Sequence, residues 1–172
     1  MRNRETNLLV AIQDGLYTPE TVKAARALSH FGEHDLGWLA VATAGAIATS
    51  VGDVDRHRRS KWIALGAGTF AAHAATVVLK RIVRRKRPDY PYVRVGVKTP
   101  STLSFPSSHA TSTTAFLVAV SRLTGRKAPL LGVPVMMASR MVLGVHYPTD
   151  TAVGAAIGAA TAEVVMKGMK HE

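Results

Sequence analysis

Three polar clusters interrupt an otherwise apolar chain, and each carries residue types suited to holding or transferring a phosphate. In KRIVRRKRP, residues 80–88, Lys80, Arg84 and Arg87 follow an i, i+4, i+7 spacing that predicts one shared helix face. A row of fixed cations suits phosphate, because Arg offers a bidentate fork and Lys a point charge. Taken alone, the run equally suits interfacial anchoring and lipid-headgroup binding, the role expected of Arg81, Arg85 and Lys86 on the other faces. The second cluster is FPSSHA, residues 105–110. Pro and Ser ahead of an apolar run predict a helix start, whose unpaired backbone N–H groups attract anions. Ser107 and Ser108 add hydroxyls, and His109 falls in the first turn. The third is SRMVLGVHYPTD, residues 139–150. Here Arg140 lies at the end of one helix, and His146 precedes the Pro148 that opens the next. Asp150 follows in that helix's first turn. A carboxylate beside a histidine fixes its tautomer and raises its basicity; a structural Arg140–Asp150 pair is the alternative.

Together the clusters suit phosphoryl transfer. Cations and amides stabilise the phosphoryl oxygens, one histidine attacks, and the other protonates the leaving group. A two-metal mechanism needs several bridging carboxylates, and only Asp89 and Asp150 lie near, so no metal and no cofactor is expected. His73 reads as a core histidine, and His30, His34 and His57 as surface or interfacial ones.

The elements that must position these residues read as helices throughout. The chain has 172 residues, 47% hydrophobic but only 6% aromatic, with a net charge of +11 and no cysteine. That length suits a single domain over 1–172, and the charge asks for an anionic partner. The N-terminus lacks the apolar core and cleavage site of a removable signal peptide. Uncharged runs at 36–51 and 62–79 approach the roughly 17–25 residues needed to cross a bilayer. Later uncharged runs are shorter and reach that length only by admitting polar residues, which inside a membrane mark function or pairing. The expected fold is an all-α, membrane-embedded helical bundle of about five spans, over 36–52, 61–86, 108–123, 128–145 and 148–168. Amphipathic helices within 1–34 precede it and are suited to a membrane surface. Thr18-Pro19-Glu20 predicts the start of the second of these helices. Gly154 and Gly158 share a helix face and allow close approach of a neighbour. With this order, the links at 53–60 and 124–127 fall at one end of the bundle and all three clusters meet at the other. Nucleic acid is not an expected partner, because the cations lie at span ends rather than on one soluble face.

The three clusters, in order and with their internal spacing, resemble the three-part signature of the type 2 phosphatidic acid phosphatase superfamily, which groups membrane lipid phosphate phosphatases with soluble acid phosphatases and vanadium haloperoxidases. The resemblance covers residues 80–150 by motif: Lys80, then Arg87-Pro88; Pro106-Ser107-Ser108-His109; Ser139-Arg140, His146 and Asp150. It implies a metal-independent phosphatase acting through a phosphohistidine. His146 would be the nucleophile, Asp150 its orienting group, and His109 the acid and then the base. Lys80, Arg87, Ser107, Ser108 and Arg140 would hold the phosphate. Ser108 departs from the glycine usual there, which puts the phosphate geometry in question. Within the family, the short length and the segments HFGEHDLGWL and DRHRRSKWIALGAGTFAAHAATVVLKR are most similar to a branch acting on a polyprenyl-linked sugar phosphate in cell-wall arabinan synthesis. Phosphatidic acid, phosphatidylglycerol phosphate and polyprenyl diphosphate are the other substrates expected of such a protein. A vanadate-dependent oxidant and a non-catalytic protein binding anionic lipid are the readings outside the class. Asp89, Tyr90, Tyr92, Arg94 and Lys98, in the loop between the first two clusters, are the residues expected to read a headgroup. The resemblance also implies a multi-pass protein of the cell membrane with an outward-facing site.

Overall fold

Thr18 caps a helix, as its place before Pro19 predicts. The computed structural model describes residues 4–51 and 55–169. Helix α1 spans Arg4–Leu16 and α2 spans Pro19–Phe31, with the Thr18 side chain accepting from the Thr21 N–H. A 3₁₀ turn, Glu33–Asp35, leads into α3, Leu36–Ala48. Residues 52–54, the end of the first expected span and the start of the link expected over 53–60, lie outside the described residues, and the rest of that link, from Arg56, is helical, so the second span begins earlier than the expected 61. Asp55 caps α4, Arg56–Val83, by accepting from the Arg58 N–H at 2.9 Å. After a long loop come α5, Ser108–Thr124, a 3₁₀ turn at Ala128–Leu131, α6, Gly132–Val142, and α7, Pro148–Gly168. Among the described residues there is no strand, only an isolated bridge between Lys86 and Leu103.

The five helical segments expected as spans are therefore present, but they are unequal. Among the described residues only Arg56–Val83 is long and apolar enough to cross a membrane on its own terms. The others are shorter or carry the polar side chains of the interior. Three of these helices also end earlier than expected, the first at Ala48 rather than 52. The second span stops at Val83 because Arg84 takes a left-handed conformation, φ +53. The fourth stops at Val142, and Gly144, at φ +67, turns the chain toward α7.

Polarity is distributed inside out. Thr69, Thr76, Thr111, Ser112, Thr113, Ser139 and Thr151 are buried, while Phe70, Val78, Ile82, Leu131 and Val164 are exposed. Water rewards the opposite arrangement. A bilayer rewards this one, because apolar side chains cost nothing against lipid and polar groups must find partners within the bundle. Small residues let the helices close: a Cβ at Gly158 on α7 would meet the Thr111 carbonyl of α5. Ala42, Leu65, Phe116, Ala119 and Ala162 form the apolar core shared by α3, α4, α5 and α7.

The N-terminal helices are docked against the bundle. Leu9 and Gln13 on α1 are buried, and Gln13 donates to the carbonyls of Arg94 (2.7 Å) and Val142 (2.9 Å) while accepting from Arg94 N–H. Val22 and Ala25 on α2 pack with Val142, Leu143 and Val145.

Candidate active site

The three clusters meet at one end of the bundle, around a cavity of about 240 Å³ lined by Lys80, Arg87, Ser108, His109, Arg140 and His146, among others. The left-handed Arg84 decides which cations face it. A continued helix would keep Arg84 in line with Lys80. Instead Arg84 is exposed, and the chain turns so that Arg85 and Arg87 point inward. Arg84 does not share a face with Lys80 and Arg87, and Arg85 is not a lipid anchor. Arg81 and Lys86 are exposed.

His146 sits in the turn between α6 and α7, 2% exposed. Its Nε2 lies 3.1 Å from Arg87 Nη1. A guanidinium can only donate, so Nε2 holds the lone pair and the ring proton is on Nδ1. That nitrogen faces Asp150 Oδ2 at 3.5 Å, one helical turn on. The separation is longer than a hydrogen bond, as is common before substrate draws such a pair together. Asp150 is fully buried. Its Oδ2 accepts from Tyr147 N–H at 2.8 Å and its Oδ1 from Arg85 Nη1 at 2.9 Å. Its ion-pair partner is therefore Arg85 and not Arg140. Burial, reinforced by the charges of Arg87, Arg140 and Lys80 and by His109, holds the His146 pKa well below its ordinary 6.5. His146 is thus neutral at neutral pH, with its Nε2 lone pair directed at Arg87.

Arg140 is 2% exposed, and its Nε and Nη1 have no hydrogen-bond partner among the described residues. Buried donors normally find partners. A buried guanidinium with donors to spare, on the wall of a cavity shared with Lys80 and Arg87, is suited to a phosphate. Lys80 Nζ donates to the carbonyls of Ser104 (3.1 Å) and Pro106 (2.5 Å), which ties α4 to the approach of α5. Arg87 is anchored by the carbonyls of Ser101 and Val145. Burial lowers its pKa to about 10, with Asp150 acting against the shift, so it remains cationic at neutral pH.

Ser107 is the N-cap of α5, and its own N–H donates to the Asp150 carbonyl at 3.0 Å. Ser108 begins the helix, and its hydroxyl pairs with Thr76 Oγ1 at 2.6 Å. His109 Nε2 lies 3.0 Å from the Ser29 carbonyl at the end of α2. A carbonyl only accepts, so Nε2 carries a proton and Nδ1 is the nitrogen left to exchange one.

Of the five loop residues expected to read a headgroup, only Lys98 lines the cavity. Asp89, Tyr90, Tyr92 and Arg94 do not line it, because the loop folds back on α1. Arg94 is held by Gln13 and pairs with Asp14 at 3.4 Å, and Tyr90 stacks on Tyr92 at 5.2 Å. Glu33 and His34 line the cavity instead, beside His73. Left-handed conformations at His34 and Asp35 turn that segment into the bundle. His34 is exposed, as expected, at the edge of the cavity, and His73, 3.9 Å from Asp35, faces the cavity rather than a sealed core.

A helical bundle with this end-facing site is the architecture of a membrane phosphatase, and the chain belongs to the PAP2 superfamily, whose profile matches residues 61–172. It is accordingly a metal-independent lipid phosphate phosphatase. It is 51% identical over 162 residues, 94% of this chain and 88% of the relative, to a decaprenylphosphoryl-5-phosphoribose phosphatase of Mycobacterium tuberculosis H37Rv. It is 56% identical over 151 residues, 87% of this chain and 81% of the relative, to the protein of that name from Mycolicibacterium smegmatis. Two crystal structures share the fold. One is a transmembrane PAP2 type phosphatidylglycerolphosphate phosphatase from Bacillus subtilis, with TM-score 0.74 and 20% identity over 99% of this chain and 88% of that one. The other is LpxE of Aquifex aeolicus, with TM-score 0.75 and 19% identity over 96% of each chain.

Proposed function

We propose that the chain hydrolyses the 5-phosphate of decaprenylphosphoryl-5-phosphoribose through a phosphohistidine on His146. The substrate follows from the near full-length likeness to the two mycobacterial phosphatases. The reading is supported by one observation: a buried His146, its Nδ1 3.5 Å from Asp150 Oδ2, shares a cavity with the unpartnered donors of Arg140.

Each side chain then has a task. Lys80, Arg87 and Arg140 hold the phosphoryl oxygens, with Ser107 and the Ser108 N–H at the start of α5. Their charge is most valuable as negative charge builds on those oxygens in the transition state. His146 Nε2 attacks phosphorus, the bond to the ribose oxygen breaks, and Nδ1–H turns to Asp150 as the ring becomes cationic. His109, protonated at Nδ1, gives that proton to the leaving alkoxide. It then takes a proton from water as the water oxygen attacks the phosphohistidine. The P–N bond breaks, inorganic phosphate leaves and His146 is restored. Lys98, which lines the cavity, is the loop residue we assign to the headgroup.

The test is phosphate release in detergent with EDTA present, offering decaprenylphosphoryl phosphoribose, phosphatidic acid, phosphatidylglycerol phosphate and undecaprenyl diphosphate, with His146→Ala as control. Release from the phosphoribose lipid that survives EDTA and disappears in the variant is expected. A better rate on another lipid overturns the substrate, and release that persists in the variant overturns the nucleophile.

A further inference from the structure

Arg85 has a second partner that the reaction as described does not use. Its Nη1 donates to Asp150, and its Nη2 meets Glu5 Oε2 at 2.5 Å, in the first turn of α1. Glu5 also accepts from the Thr149 N–H at 3.0 Å and from the Thr149 hydroxyl. The Arg85 guanidinium stacks over the Tyr147 ring, 4.0 Å from its centroid. A chain of alternating charge therefore runs from the N-terminal helix into the site, Glu5, Arg85, Asp150, His146, across 80 residues of sequence between its first two members.

We propose that Glu5 is a positioning residue of the phosphatase: acting through Arg85, it keeps a net negative charge behind His146 and aims the Asp150 carboxylate at Nδ1. The proposal rests on the reading of His146 as nucleophile. Arg85 alone would neutralise Asp150. His146 would then face Lys80 from α4, Arg87 from the loop, Arg140 from α6 and His109 from α5 with no net negative charge to support the imidazolium it must become. Glu5 restores the balance, so that Glu5, Arg85 and Asp150 together carry one negative charge. The geometry also fits a carboxylate that stays ionised. Burial would raise the Glu5 pKa, but hydrogen bonds from Thr149 and Arg85 outweigh it and hold it below the ordinary 4.5.

Opposite signs make the test sharp. Glu5→Gln removes a negative charge near His146, so its pKa falls and the acid limb of kcat/KM moves to lower pH. Arg85→Met removes a positive charge, so the limb moves to higher pH. Charges of this kind near a protein surface are worth about half a pH unit each. The second ionisation of the substrate phosphate is common to all the enzymes compared, so the differences between limbs are the readout. Thr149→Val, which removes the hydroxyl's hydrogen bonds to Glu5 and from Arg85 but no charge, is expected to leave the limb in place. In Glu5→Gln, kcat is expected to fall about tenfold with KM within twofold, in full-length detergent-solubilised protein. Loss of packing alone would lower activity without moving the two limbs apart. Limbs that stay fixed, or that move in the same direction in both variants, overturn the proposal. Wild-type release that disappears in His146→Ala reports on the phosphohistidine reading independently.

Discussion

Ser108 stands where the family resemblance leads one to expect glycine, and its surroundings explain why serine is accepted. It is the first residue of α5 and has no left-handed backbone, so nothing in its conformation requires a missing Cβ. Its hydroxyl is paired with Thr76 Oγ1 on α4. Ser108→Gly removes that one buried hydrogen bond, worth roughly 1 kcal/mol. Thr76 keeps its bond to the His73 carbonyl at 2.7 Å, so no group is orphaned. The variant is expected to keep kcat/KM within about threefold while its melting temperature in detergent drops by a few degrees; phosphate release and thermal unfolding read the two effects. A gain above tenfold would mean that the hydroxyl obstructs the phosphate. At this scale the sequence reveals what is local. His146 and Asp150 are four residues apart, and their pairing follows from the helix start at Pro148. The Asp150–Arg85 and Arg85–Glu5 contacts join residues far apart in the chain, and no spacing rule announces them. Arg85 reads as an anchor until the helix before it is seen to end at Val83.

Helix starts were more legible than helix ends, and the reason is chemical. Starts at Pro19, Ser108 and Pro148 are marked by local caps and by proline at the first turn. The end of α4 depends on a left-handed arginine, a conformation that side chains carrying a Cβ rarely adopt and that tertiary contacts must enforce. The docking of α1 and α2 was likewise not legible, because an amphipathic stripe such as Thr6, Leu9 and Gln13 suits a membrane surface and a protein groove equally. Docking gives α2 a direct hold on the site. Its C-terminal end offers the Ser29 carbonyl to His109 Nε2, and Gly32 lies close against the same ring. A Cβ at position 32 would stand 2.8 Å from His109 Cδ2. Gly32 has φ −85, so alanine is tolerated by the backbone and the collision is with the histidine alone. Gly32→Ala is therefore expected to lower kcat at least tenfold with little change in KM, by tilting His109 off the leaving oxygen. Gly15→Ala, where an added Cβ meets nothing within 4 Å, should remain within about twofold of wild type. Steady-state kinetics on the pair decides it, and an unchanged kcat in Gly32→Ala would remove α2 from any role in aligning His109.

For the whole molecule, the inside-out distribution of polarity and the collection of charge at the two ends define an axis across the membrane. Composition already pointed to closely packed helices, since small residues are abundant and aromatics few. The direction of the axis is a separate question. At the end away from the site, Arg56, Arg58, Arg59 and Lys61 stand at the start of α4 and Arg126 and Lys127 on the link after α5. At the site end, Lys80, Arg85, Arg87 and Arg140 are committed to the interior, while Arg81, Arg84, Lys86 and Lys98 remain there with the cations of the N-terminal helices, so the excess of Lys and Arg that marks cytoplasmic loops falls clearly on neither end. The family resemblance implies an outward-facing site, and on that ground we propose that the links face the cytoplasm and the site faces outward. The absence of cysteine makes the direction easy to read. Asp89→Cys reports the site end and Arg126→Cys the link end, and both positions are exposed. In intact cells, a membrane-impermeant maleimide should label Asp89→Cys and should reach Arg126→Cys only after permeabilisation. The reverse pattern would place the site in the cytoplasm.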